Sequence, residues 1–178
     1  TLDEKRIKEN LNSIISIIKK VHFDMPKNLY GQSMIFWVFH VIRHYSKFIE
    51  ENKSKYTSML PELLKKSDLI EKISSPFEIV FSHNDLLPAN FIKDNEKIWL
   101  IDWEYAGYNT PLFDLGGLSS NNNFNEKEDI ILLENYYEHP INDEIIKKFK
   151  CLKCASLLRE TMWSMVSEIT SKIDFDYI

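Results

Sequence analysis

The chain has 178 residues, 44% of them hydrophobic and 28% charged, with a formal net charge of −5. A chain of this size can bury a sizeable core as one globular domain, and an acidic balance without a basic patch excludes a nucleic-acid backbone as partner. The longest apolar run, from Met34 to Ile42, contains His40 and is too short to span a bilayer, and no signal-peptide segment is present; a cytoplasmic protein without a membrane span is expected.

Taken in chain order, Thr1-Leu2-Asp3-Glu4 reads as a capping box, and Ile7, Leu11, Ile14, Ile15, Ile18 and Val21 recur at helical spacing. That pattern predicts an amphipathic opening helix. After a turn around residues 24–28, a second helix is predicted from about Ser33 to about Asn52. His40 and His44 stand at i,i+4 within it, but no H-E-x-x-H pattern accompanies them, so core or surface histidines are expected rather than a metal site. Residues 61–72 read as a third helix with a solvated face of Lys and Glu. Ser74-Ser75-Pro76 breaks the pattern, and residues 77–81 read as a short strand.

The strand runs into His83-Asn84-Asp85-Leu86-Leu87-Pro88-Ala89-Asn90, and Asp102 follows twelve residues after Asn90. In the kinase pattern H-R-D-L-x-x-x-N, the Asp accepts the proton of the attacking hydroxyl and the Asn holds Mg²⁺. A later Asp holds the metal that bridges the phosphates. The same spacing recurs here, with Asn84 in place of the Arg. Phosphoryl transfer asks mainly for positioning and charge neutralisation, and two or three oxygen ligands suffice for Mg²⁺, which keeps waters of its own. Residues 90–92 and 98–101, separated by the polar stretch 93–97, read as strand, turn and strand. A hairpin of that length returns Asp102 to the neighbourhood of Asn90.

Further on, Asn125-Glu126-Lys127-Glu128 caps a helix that runs to about Glu138 and ends at His139-Pro140. Asn142-Asp143 starts a long helix whose core stripe is Ile145, Phe149, Leu152, Ala155, Leu158, Met162, Met165 and Ile169. Cys151 and Cys154 lie mid-helix, away from a redox or zinc setting, and read as idle thiols. Ser156, Glu160, Trp163 and Ser167 fall on a different face. Glu160 and Trp163 at i,i+3 would suit a cation, since the indole face attracts an ammonium and the carboxylate adds charge; core or interdomain packing of Trp163 is the competing reading.

Phe81 to Asn90, Leu100 to Asn109 and Phe113-Asp114-Leu115-Gly116 resemble the choline/ethanolamine kinase branch of the aminoglycoside phosphotransferase-like kinases. Met162-Trp163-Ser164-Met165-Val166 and Asp174-Phe175-Asp176-Tyr177 resemble it too. The resemblance implies a mainly α-helical C-terminal lobe of a protein-kinase-like fold, with a small β-hairpin at the active site, as a single domain over residues 1–178. The activity implied is transfer of the γ-phosphate of ATP, with Mg²⁺, to the hydroxyl of choline or a similar small amino alcohol.

Carried over residue by residue, the resemblance makes Asp85 the catalytic base, Asn90 and Asp102 the Mg²⁺ ligands, and Tyr105, Glu160 and Trp163 acceptor contacts. His83 and Asp114 brace the catalytic loop, Asp114 having a surface cap as its alternative reading. Glu104 either supports the metals or touches the substrate. Asn121, in the polar run 119–123, lies beside the acceptor pocket or in a plain exposed loop. Two departures affect the acceptor: Glu160 stands where some relatives have a further Trp, and the chain ends before another pocket aromatic.

A kinase also needs a Gly-rich loop over the phosphates, and the four glycines, Gly31, Gly107, Gly116 and Gly117, form none. The chain is therefore read as a C-terminal lobe whose N-terminal, ATP-clasping lobe is absent, and an uncovered apolar interlobe surface favours self-association. An aminoglycoside- or thiamine-type kinase, and a non-catalytic amine-binding module, are the alternative readings.

Overall fold

Asp3, not Thr1, starts the first helix. In the computed structural model, which describes residues 1–171, the Asp3 carboxylate accepts the N–H of Arg6 at 2.8 Å and opens α1 (Glu4–Glu9). The expected single opening helix breaks at Asn10, whose side-chain amide donates to the Arg6 carbonyl at 2.7 Å, and resumes as α2 (Leu11–Phe23). A short polar side chain bonding its own backbone competes with the helical ladder, which accounts for the break. Ile7, Ile14, Ile15, Ile18 and Val21 are buried, as their spacing implies.

The second predicted helix starts later than its pattern suggested, as α3 (Val38–Glu51). Residues 34–36 are instead extended alongside Tyr108: Tyr108 N–H donates to the Met34 carbonyl at 2.8 Å, and Phe36 N–H donates to the Tyr108 carbonyl at 2.9 Å. The β-branched and aromatic run Ile35-Phe36-Trp37 suits a pleated strand better than a first helical turn. Gly107 permits the approach, because a Cβ there would stand 2.7 Å from the Met34 carbonyl oxygen. The third helix is α4 (Leu60–Ser74), with Pro61 in its first turn, where a missing N–H is harmless.

The strand after α4 is β1 (Val80–Ser82), shorter than expected, and it pairs antiparallel with β4 (Gly107–Asn109), Val80 opposite Asn109 and Ser82 opposite Gly107. Between them, β2 (Phe91–Asp94) and β3 (Lys97–Leu100) form the expected hairpin, with Phe91 opposite Leu100. Three helices follow. These are α5 (Pro111–Asn121), α6 (Glu126–Tyr137), opened by the Asn125–Glu128 capping box, and α7 (Asp143–Thr170), capped by Asn142.

Helix α7 is the spine, with α3, α4 and α5 packed against it. Its buried stripe includes Phe149, Leu152, Ala155, Met162 and Met165, with Ile145, Leu158 and Ile169 partly buried beside it. Each such large side chain removed from water contributes about 1.5–3 kcal/mol. Gly116 lets α5 and α7 touch backbone to backbone, since a Cβ at that position would lie 2.8 Å from the Lys153 amide nitrogen. His40, His44 and Cys154 are exposed, Cys151 is half-buried, and burial pushes the Cys151 thiol up. The fold is mainly α with one small β-hairpin and one further antiparallel strand pair, and among the described residues no helix is long and apolar enough to cross a membrane. Asp174 to Tyr177, which carried part of the resemblance, lies outside the described residues.

Candidate active site

The loop after β1 is held by one buried carboxylate in the first turn of α5. Asp114 is 2% exposed, ruling out a surface cap. Its Oδ2 accepts the His83 N–H at 2.9 Å and its Oδ1 accepts the Asn84 N–H at 2.7 Å. His22 of α2 places Nε2 3.0 Å from Asp114 Oδ2 and Nδ1 2.7 Å from the Tyr136 hydroxyl. The carboxylate can only accept, so Nε2 carries a proton toward it. Burial alone would push Asp114 up. The His22 hydrogen bond and charge, with the charge and N–H of His83, outweigh burial and hold the carboxyl below its ordinary 3.8.

Asn84 sits at φ +67°, a left-handed conformation that Asn tolerates better than most residues. Its side-chain amide donates to the carbonyls of Tyr105 at 2.9 Å, Ser82 at 3.3 Å and Gly107 at 3.3 Å, while its oxygen accepts from Asn109 at 2.8 Å. The residue standing where the kinase pattern has Arg thus fastens the loop to β4. His83 Nε2 donates to the Ile101 carbonyl at 2.9 Å and its ring meets Trp103 edge-on at 4.8 Å, tying the loop to the segment that carries Asp102.

Pro88 begins a single 3₁₀ turn that ends at Asn90, and this turn brings the Asn90 amide back onto Asp85. Asn90 Nδ2 donates to the Asp85 carbonyl at 2.8 Å and to Asp85 Oδ2 at 3.2 Å. The hairpin then closes with Ile101 N–H donating to the Asn90 carbonyl at 3.0 Å, which sets Asp102, at φ +64°, one residue from that contact. A carboxylate and a carboxamide are hard oxygen donors of the kind Mg²⁺ takes. Among the described residues, no three His, Cys, Asp or Glu side chains gather as a cage.

Sequence reasoning missed Arg159 of α7. Only 3% exposed, it donates from Nη2 to Asp85 Oδ1 at 2.8 Å and to Glu160 Oε1. Its guanidinium carbon lies 5.2 Å from the centre of the Tyr105 ring and 6.0 Å from that of Phe36. A signal was present. Leu152, Ala155, Arg159 and Met162 share the buried register of α7, and a cation at a core position implies a buried partner. His22 sits likewise in the register of Ile14, Ile15 and Ile18 on α2.

The arrangement brings Asp85, Asn90, Tyr105 and Glu160 around one point, with Trp163 on the next turn of α7 at 38% exposure. Burial raises the Tyr105 hydroxyl, with exposed Glu104 adding to it. Burial also raises the Glu160 carboxyl, against the pull of Arg159. The run 119–123 is not a plain exposed loop but begins as the last turn of α5, which Asn121 completes, and there Asn122 bonds the Leu118 carbonyl and Asn123 reaches Glu4 in α1. Asn121 is seven residues past Asp114, about 10 Å along the helix, because the Asn-rich run continues the helix before breaking it.

A helical lobe in which an Asp–Asn loop is braced from below and followed by a hairpin ending in a second Asp is the C-terminal lobe of a protein-kinase-like fold. The spectinomycin phosphotransferase structure shares this fold at a TM-score of 0.54. More particularly, residues 1–131 match the model of the family described as choline/ethanolamine kinase, and the chain belongs to that family. It is 32% identical to the LicA protein of Haemophilus influenzae over 105 residues, which is 57% of this chain and 31% of LicA. It is 27% identical to a probable ethanolamine kinase of Arabidopsis thaliana over 80% of this chain and 45% of that protein. Among solved structures, the choline kinase LicA of Streptococcus pneumoniae superposes with a TM-score of 0.77 at 26% identity, covering 99% of this chain and 62% of that one. A family protein from Mesorhizobium loti gives 0.82 at 23%, covering 99% and 61%. The chain spans about a third to a half of the length of these curated relatives.

Proposed function

We propose that the protein transfers the γ-phosphate of ATP to the hydroxyl of a small amino alcohol such as choline or ethanolamine, in the cytoplasm, and that residues 1–178 supply one domain carrying the catalytic and acceptor-binding groups. The observation that carries this reading is the convergence of Asp85, Asn90 and the hairpin bearing Asp102. Asp85 takes the acceptor's hydroxyl proton as its oxygen bonds the γ-phosphorus and ADP departs. Asn90 and Asp102 would hold Mg²⁺, whose contribution when bound is to neutralise charge on the phosphate oxygens. Tyr105, Glu160 and Trp163 orient the amine end. His83, Asn84 and Asp114 keep the base aimed, and residues of the longer protein contribute further contacts to ATP.

The test is an ATP-dependent assay of the full-length protein with choline, ethanolamine, thiamine and an aminoglycoside, run beside Asp85→Asn. Turnover of an amino alcohol that falls about 10²–10⁴-fold in the variant is expected. Normal turnover by Asp85→Asn would remove Asp85 from its role, and turnover confined to thiamine or the aminoglycoside would replace the acceptor class.

A further inference from the structure

Arg159 holds the place an acceptor's cation would take. Its guanidinium is bounded by the rings of Tyr105 and Phe36 and by the carboxylates of Asp85 and Glu160. Aromatic faces with nearby carboxylates are the surroundings that bind an ammonium ligand, and here the protein's own side chain fills them.

The same contact occupies the base. Asp85 Oδ1 accepts from Arg159 and Oδ2 accepts from Asn90, so each oxygen that an acceptor hydroxyl would approach already carries a donor. Asn90 is also anchored to the Asp85 backbone carbonyl at 2.8 Å. Arg159 is less completely satisfied, because its Nε is buried with no hydrogen-bond partner. An orphaned buried donor weakens the seat it sits in. Withdrawal would leave Arg159 its contact with Glu160, the next residue on the helix, and an arriving ammonium would replace the charge that Asp85 loses.

We infer that Arg159 is an internal competitor of the acceptor: its guanidinium occupies the cation position and ties up Asp85, and an amino alcohol binds by displacing it. The inference rests on the amino-alcohol reading above. Arg159 thereby sets acceptor affinity, and it delays exposure of the base until an acceptor is present. Removing the competitor raises apparent affinity by the inverse of the fraction of time that the site stands unblocked.

The test is calorimetric titration of the protein with ethanolamine and choline, using wild type, Arg159→Met and Arg159→Lys. Arg159→Met is expected to bind amine about tenfold tighter or more, and free guanidinium ion at non-denaturing concentration is expected to compete with amine in that variant but not in wild type. Arg159→Lys keeps a charge at the position and is expected to stay near wild type. Amine binding by folded Arg159→Met that is unchanged or weaker would overturn the inference, as would guanidinium competing equally in both proteins. Should Arg159→Met fail to fold, the wild-type Nε–H resonance of Arg159, identified by its loss in Arg159→Lys, decides: a shift on amine binding supports displacement, and an unmoved resonance refutes it. Failure of the amino-alcohol reading is recognisable separately, as absence of amine binding in wild type and variants alike, and it takes the inference down with it.

Discussion

Asn84 gives its backbone N–H to Asp114 across 2.7 Å and its side-chain amide to the carbonyls of Tyr105 and Gly107, so one residue is held by α5 on one side and holds β4 on the other. Asp114 collects the N–H of His83 as well, and is backed by His22 and through it by Tyr136. Asp85 therefore stands on a chain of buried polar groups reaching from α2 and α6 through α5, every step of it within hydrogen-bond distance. Such networks are rigid when satisfied and costly when broken.

Asp114→Ala is accordingly expected to cost about 3–5 kcal/mol, because it strands His22 and two loop N–H groups in the interior. Asp114→Asn keeps the shape and one acceptor oxygen and should cost about 1–3 kcal/mol. Urea unfolding monitored by far-ultraviolet circular dichroism measures both. In the full-length protein, a loop misplaced by an ångström should lower the proposed phosphoryl transfer about 10²-fold even where Asp114→Asn remains folded. An Asn variant as stable and as active as wild type would show that the loop stands without this brace.

The same carboxylate gives stability a pH signature. Its folded pKa is held below the ordinary 3.8, so its contribution is present above that value and is lost as pH falls through the folded pKa. Wild-type unfolding free energy should decline as pH is lowered from about 4, whereas Asp114→Asn, with no carboxyl to protonate there, should show a shallower decline over the same window. Parallel curves for the two proteins would assign the acid loss to other carboxylates.

Hydrophobic period was enough to find α2 and α7, the capping box at 125–128 was enough to find α6, and the polar stretch 93–97 between two apolar runs was enough to find the hairpin, because in those segments local preference and burial agree. The break at Asn10 and the extended run 34–36 were hidden for opposite reasons. Asn10 is a local hydrogen-bond competitor that the apolar period ignores, and residues 34–36 are drawn into strand pairing by Tyr108, more than seventy positions away. The Asp85–Asn90 spacing was legible, being a single local turn. Arg159 was not, because its partner is 74 positions distant and a polar residue in a helix reads by default as solvated. Asn121 misled in turn, since three consecutive Asn residues look like a loop although the first completes α5.

Neighbouring glycines on α5 should respond differently to the same added methyl group. At Gly116 a Cβ would meet the backbone of α7, 2.8 Å from the Lys153 nitrogen, and neither helix can yield without repacking the spine. At Gly117 the nearest atom is the Ser156 hydroxyl oxygen at 3.4 Å, an ordinary contact. Gly116→Ala is expected to destabilise by about 1–3 kcal/mol, while Gly117→Ala should be neutral or stabilise by up to about 1 kcal/mol, since alanine lowers the entropy lost on forming a helix. Thermal melts of the two variants side by side test this, and equal melting temperatures would mean that α5 and α7 have more slack than their contact suggests.

Substitutions at Asn84 separate backbone strain from hydrogen bonding. Glycine at this position would accept the left-handed conformation freely but abandon the carbonyls of Tyr105, Ser82 and Gly107 and the amide of Asn109. Alanine would abandon the same groups and resist the backbone conformation as well. Asn84→Gly is therefore expected to lose about 1–3 kcal/mol, and Asn84→Ala about 1 kcal/mol more. The order of the two is the informative result. Alanine more stable than glycine would mean that the loop relaxes out of its left-handed turn, and the brace from Asp114, which depends on the Asn84 N–H pointing into α5, would then be lost with it. In that case Asn84→Ala and Asp114→Asn should be non-additive in a double-mutant cycle of unfolding free energies, whereas with the turn intact the coupling should be small.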